Sequence, residues 1–161
     1  MRIALASDHA GFKTKEELKL LLDELGIGYE DVGTRSEEPV DYPDFAQRAA
    51  LLVARGECTQ ALLVCGSGTG MAIAANKVPG IRAAVAWNEE TARLARAHND
   101  ANVLAIGART TAADEIARIV RAWFAARFEG GRHVRRIQKI HRIEMQRAVS
   151  RIAETARPSE R

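Results

Sequence analysis

At 161 residues, with 47% apolar and 28% charged side chains and a formal net charge of +3, the chain has the make-up of one globular domain around a single core. No apolar run reaches the length of a membrane span, and the opening run, cut short by Asp8 and His9, is too brief for a signal peptide. Cys58 and Cys65 form no disulfide framework and lack zinc-ligand spacing, so a reducing cytoplasm is the expected setting. "RIALAS" (2–7) reads as a short apolar strand. It feeds a helix with Leu18, Leu21, Leu22 and Leu25 on one face, stopped by Gly26. "GYEDVG" (28–33) is a weaker strand. The polar loop "TRSEEPVDYP" leads to a helix carrying Phe45, Ala49, Leu52 and Val53, closed by Gly56. "QALLVCG" (60–66) is apolar on both faces, as a central parallel strand is. Residues 69–77 read as helical, and "VPG" ends them. "IRAAVAW" (81–87) is the fourth strand. Asn88 then caps a helix whose Glu89 and Glu90 oppose the dipole. "ANVLAIG" (101–107) is the fifth strand. Thr111 with Asp114 predicts a capping box before a helix with Ile116, Ile119, Val120 and Trp123 on its apolar face. Gly130 and Gly131 break the chain ahead of a basic helix bearing Val134, Ile137, Ile140 and Ile143, and "TARPSER" is expected to be disordered.

Five strands alternating with helices predict an α/β fold: a Rossmann-like, doubly wound, five-stranded parallel sheet in three αβα layers. Residues 1–150 are expected to form one domain that includes the basic helix, with 151–161 a flexible tail. Such sheets bind ligands at the carboxyl ends of their strands. That edge collects Asp8 and His9, Cys65, Asn88 and Arg109.

The stretch "LLVCGSGTGMAIAANK" (62–77) carries the densest chemistry. The spacing Gly66-x-Gly68-x-Gly70 departs from the dinucleotide fingerprint and follows the third strand rather than the first. Glu89 and Glu90 lie at a suitable distance for a ribose, which keeps a nucleotide-binding module open. No G-K-[ST] follows, which excludes a P-loop. A structural turn is the plain alternative. The chemical reading is a strand-to-helix turn whose N–H groups approach an anion, with Cys65 as its first reactive member. A base beside an oxyanion hole suits proton abstraction next to a carbonyl and an enediolate intermediate.

Asp8 and His9 either cap a helix or handle sugar hydroxyls or phosphate. His98, Asn99 and Asp100 lie between the fourth helix and the fifth strand, where a helix C-cap is the simplest role. A helix that follows a strand returns to the opposite edge of the sheet. If His98 acts with Cys65, a second subunit must supply it, which ties catalysis to a homo-oligomer. Arg132 and Arg136 are one helical turn apart and can clamp one phosphate. Residues 132–161 hold nine Lys/Arg against three Glu, and the preceding residues hold 15 against 18, so the basic character is local. The basic helix offers no Phe, Trp or Tyr for base stacking, so no nucleic-acid partner is expected. The four histidines are scattered without metal-ligand spacing, and no metal site is expected.

The segments "IALASDHAGF", "DVGTRSEEPVDYPDFA", "CGSGTGMAIAANKVPGIRAA", "ARLARAHNDANVLAIGAR" and "FEGGRHVRRI" together resemble the type B ribose-5-phosphate isomerases, a family that includes hexose-phosphate isomerases. The likeness runs in order over roughly residues 2–147. It implies a cofactor-free and metal-free cytoplasmic enzyme of the pentose phosphate pathway. Such an enzyme interconverts ribose 5-phosphate and ribulose 5-phosphate through a cis-enediolate, as a homodimer or tetramer with shared sites. By the same resemblance, Cys65 is the base, and Ala74 or Ala75 stands near the position where some relatives use a glutamate instead. Gly66, Ser67, Gly68, Thr69 and Gly70 form the loop that holds the enediolate oxygens. His98 assists ring opening, accompanied by Asn99, both from the neighbouring subunit. Asp8, His9 and Tyr42 bind the sugar, with His9 also within range of the phosphate. Arg132 and Arg136, with Arg109, take the phosphate. The choice between pentose and hexose phosphate stays open.

Overall fold

The computed structural model describes the backbone of residues 1–155, and the side chains of these except 147–149 and 151–155. The elements run β1 (Arg2–Ser7), α1 (Phe12–Glu24), β2 (Gly28–Asp31), α2 (Tyr42–Ala54), β3 (Gln60–Cys65), α3 (Thr69–Ala75), β4 (Ala83–Val85), α4 (Glu89–Asn99), β5 (Val103–Gly107), α5 (Ala113–Ala125) and α6 (Arg132–Thr155). The chain divides into two compact units, residues 1–128 and the segment from Glu129 onward.

In the first unit all four strand pairings are parallel, and the order is β2-β1-β3-β5-β4. The inner strands β1, β3 and β5 are buried on both faces, because their residues alternate between two apolar layers, while the edge strands β2 and β4 are half-buried. Leu62 and Val64 pack with Leu18 and Leu22 of α1, Ala92 and Ala95 of α4, and Ile116, Ile119 and Trp123 of α5. Ala61, Leu63 and Cys65 pack with Ala46, Ala49 and Ala50 of α2 and with Met71, Ala72 and Ala75 of α3. Three layers result, as the doubly wound pattern predicts.

The chain leaves β1 for β2 on one side and starts β3 on the other. Right-handed crossovers therefore send α1 and α3 to opposite faces. Between the carboxyl ends of β1 and β3 this opens a crevice, the usual ligand site of such sheets.

Several boundaries differ from the sequence reading. β2 ends at Asp31 rather than residue 33, and just beyond it the Asp31 carboxylate accepts the Gly33 N–H at 3.0 Å. β4 keeps only three of the seven expected residues. Arg82 and Asn102 bond to each other across its start, and Trp87, 64% exposed, is drawn toward α4 by an N–H bond to Thr91 Oγ1. Asn88 does cap α4, forming a reciprocal box with Thr91. The box expected from Thr111 and Asp114 does not form. α5 starts at Ala113 with Ala112 as its uncapped lead, which leaves Thr111 one residue too early.

A lysine is buried in the core side of α1. Lys15 is 0% exposed, and its ammonium lies 2.5 Å from Asp31 and 2.6 Å from Glu16. Lys19 reaches the same two carboxylates at 2.6 and 2.7 Å. Burial raises the Asp31 carboxyl pKa, but the hydrogen bonds from Lys15 and Lys19 outweigh it and hold it below the usual carboxylate range. Among the described residues of the second unit, α6 leaves Val134, Ile140 and Ile143 exposed, of which Ile140 and Ile143 are neighbours on one face. The helix runs through Thr155, and residues 156–161 of the expected tail lie outside the described residues.

Candidate active site

The crevice is built where β1 and β3 end. The Asp8 N–H extends their pairing by donating to the Val64 carbonyl at 3.2 Å. The Asp8 side chain, 6% exposed, turns back to accept the Gly11 N–H at 3.0 Å, which fixes the entry to α1. Gly11 has to be a glycine, since a Cβ there would overlap the Val64 carbonyl group. His9 follows, and its Nδ1 accepts the Val40 N–H at 3.2 Å.

Cys65 is the last residue of β3 and 4% exposed. Its Sγ accepts the Gly68 N–H at 3.2 Å, so the glycine turn folds back over the sulfur. Gly68 leads α3 with φ of 77°, in the left-handed region, and a Cβ there would lie 3.0 Å from the Ile106 carbonyl carbon. Both constraints demand glycine and press the turn onto β5. Ser67 and Thr69 face solvent, and Ser67 Oγ accepts the Thr69 N–H at 3.4 Å.

Two further candidates meet this turn. Arg109, exposed, follows β5, and its N–H donates to the Gly66 carbonyl at 3.0 Å. Its guanidinium stem lies over Gly66, with Cδ 3.6 Å from where a Cβ would stand. Tyr42 opens α2, and its ring lies flush on Gly70, 2.8 Å from the corresponding Cβ position. Behind the ring lies an open cleft of about 390 Å³, lined by Tyr42, Gln47, Gly70, Ala74 and Lys77 among others. Asp8, His9, Tyr42, Cys65, Gly66, Ser67, Gly68, Thr69, Gly70 and Arg109 thus share one edge of the sheet.

His98 and Asn99 do not join them. They occupy the last turn of α4, just before β5 begins. Asp100 takes φ of 42° and ends the helix, while Arg82 binds the Asn99 and Asp100 carbonyls and Arg96 binds the Ala101 carbonyl. The corner is thus held by several hydrogen bonds, yet it lies at the amino edge. Val103 starts β5 and Gly107, paired with Cys65, ends it, a separation of about 13 Å along the strand. Arg132 and Arg136 are exposed in the first two turns of α6, in the second unit. In that unit Glu129 also approaches His133 Nε2 at 3.9 Å, a carboxylate partner that the reading of scattered histidines passed over.

Sequence reasoning missed the Lys15–Asp31 network and the amide that holds His9. The first had a signal: Lys15 precedes Leu18 and Leu22 by three and seven residues, which puts it on the apolar face of α1.

The model of the Ribose/Galactose Isomerase family matches residues 3–140. The chain is 47% identical over 146 residues to ribose-5-phosphate isomerase B of Escherichia coli (strain K12), covering 91% of this chain and 98% of that protein. The structure is similar to that of the Clostridium thermocellum ribose-5-phosphate isomerase B, with a TM-score of 0.89 and 48% identity over 91% of this chain and 99% of that one. It is also similar to the crystal structure of ribose-5-phosphate isomerase B from Mycoplasma genitalium with bound ribulose 5-phosphate. There the TM-score is 0.86 and the identity 41%, over 89% of this chain and 96% of that one.

Proposed function

The chain belongs to the Ribose/Galactose Isomerase family, and from that premise we propose that it interconverts ribose 5-phosphate and ribulose 5-phosphate through a cis-enediolate. The observation that carries the chemistry is the placement of Cys65. Its sulfur stands at the end of the central strand beneath a glycine turn, beside the crevice where doubly wound sheets take their ligands.

Cys65, as thiolate, removes the proton from C2 of the open-chain aldose and returns it to C1. The hydroxyl proton passes from O2 to O1, so the carbonyl moves from C1 to C2 and nothing is gained or lost overall. Backbone N–H groups of Gly66 to Gly70 carry the negative charge that develops on the two oxygens. Asp8, His9 and Tyr42 hold the sugar. Arg132 and Arg136, with Arg109, hold the phosphate, and binding energy from that unreactive end orients the carbons that react.

His98, with Asn99, assists ring opening from the neighbouring subunit, because about 13 Å of strand separates its own edge from Cys65. The enzyme is accordingly a homodimer or tetramer, and the exposed Ile140 and Ile143 of α6 are apolar surface suited to a second copy. We place it in the cytoplasm, in the non-oxidative branch of the pentose phosphate pathway. No described helix is long and apolar enough to cross a membrane.

Steady-state turnover of a panel of five- and six-carbon sugar phosphates tests this reading. Ribose 5-phosphate should give the highest kcat/KM, while allose 6- or galactose 6-phosphate turned over in its place would move the enzyme to the hexose branch. NAD or ATP should leave the melting temperature unchanged where ribose 5-phosphate raises it.

A further inference from the structure

His9 is held by an amide from a distant part of the chain. A peptide N–H can only donate, so the Nδ1 that accepts from Val40 is the bare nitrogen, and the neutral ring carries its proton on Nε2.

Val40 belongs to the segment 32–41 that joins β2 to α2. This segment is fixed at its start. Val32 N–H donates to the Leu5 carbonyl at 2.9 Å and Thr34 N–H to the Ser7 carbonyl at 3.0 Å, so it continues along β1. Between them Gly33 backs onto the Ser7 amide and the stem of Lys15, too closely for any side chain. Asp31, held by Lys15 and Lys19, accepts the Gly33 N–H. Just past its far end, Tyr42 lies against Gly70 of the glycine turn. One anchored stretch of chain therefore meets the site twice, through the Val40 amide and through Tyr42.

We propose that segment 32–41 is a positioning element whose Val40 amide selects the Nε2–H tautomer of His9, so that His9 offers the substrate a neutral N–H donor. This rests on the reading of His9 as a substrate contact, and it narrows that reading. A neutral donor suits a hydroxyl or carbonyl oxygen of the sugar, and the phosphate is left to the arginines.

The test combines a spectroscopic and a kinetic readout on the full chain. V40P removes the amide hydrogen, whereas V40A keeps it. Two-bond ¹H–¹⁵N spectra of imidazole-labelled protein, at a pH where the rings are neutral and with H9Q used for assignment, report the tautomer directly. His9 should show a bare Nδ1 in the native chain and in V40A. In V40P both tautomers should appear, with KM for ribose 5-phosphate raised and kcat less affected. H9Q keeps a donor where Nε2 stood and H9N does not, so KM should rise further in H9N than in H9Q. A proton on Nδ1 in the native chain overturns the proposal even if V40P fails to fold, and so does an unaltered tautomer in folded V40P. Native KM in both H9Q and H9N would remove His9 from the substrate, while the spectra would still decide the Val40 contact.

Discussion

Cys65→Ala is expected to lower turnover of ribose 5-phosphate by about 10³-fold or more, with the fold and sugar-phosphate binding retained. In the proposed mechanism one sulfur serves both halves of the reaction, taking the proton from one carbon and delivering it to the next, so its loss would slow both halves together. The structural cost is small by comparison. The thiol is 4% exposed among small residues such as Ala6 and Ala72, and the variant removes a single heavy atom. The Gly68 N–H loses its acceptor, which costs about 1–3 kcal/mol if no water replaces it. Circular dichroism and calorimetric titration with ribose 5-phosphate should therefore read close to native while the assay reads near zero. Turnover within tenfold of native would remove Cys65 from the proton transfer.

The largest effect on stability is expected at Asp31. Asp31→Ala takes one of two carboxylates from a lysine with no exposed surface, and breaking such a buried pair costs about 3 kcal/mol, since Glu16 still neutralises part of the charge. Lys15→Met fills the same space without a charge and should cost far less, because Lys19 keeps Asp31 paired. Denaturant unfolding at neutral pH measures both. The pH dependence follows from the depressed Asp31 carboxyl. Its contribution is complete above its unfolded value of 3.8 and is lost as the pH falls through the lower folded value, so native and Asp31→Ala stabilities should converge only below about pH 4. A gap that closes already at pH 6 would mean that another group supplies it.

What could be read from the sequence was local. β3 with its cysteine and glycines is contiguous, so Cys65 and Gly66 to Gly70 stand together on the sheet edge as their pattern implies. The face of α5 and the Asn88 cap are likewise encoded within a few residues. The misses are contacts between distant segments. The order β3-β5-β4, which sets Arg109 beside Gly66, depends on strand pairing that no local period encodes. His9 and Val40 are 31 residues apart, and Lys15 meets Asp31 across the β2 edge. Tyr42 entered only through family resemblance, since an exposed tyrosine at a helix start carries no pattern of its own. Capping at Thr111 failed by one residue, because the helix register there is set by packing of Ile116 and Ile119 on the sheet.

A site assembled from Cys65 of one protomer and His98 of another can be tested by subunit mixing. Cys65→Ala and His98→Ala proteins, each inactive alone, are unfolded and refolded together in equal amounts, with exchange verified by a tag on one of them. Random pairing makes half of the dimers mixed, and each mixed dimer holds one fully native site, so about one quarter of native activity should return. Mixed dimers in full yield with no recovered turnover would contradict a site shared between protomers.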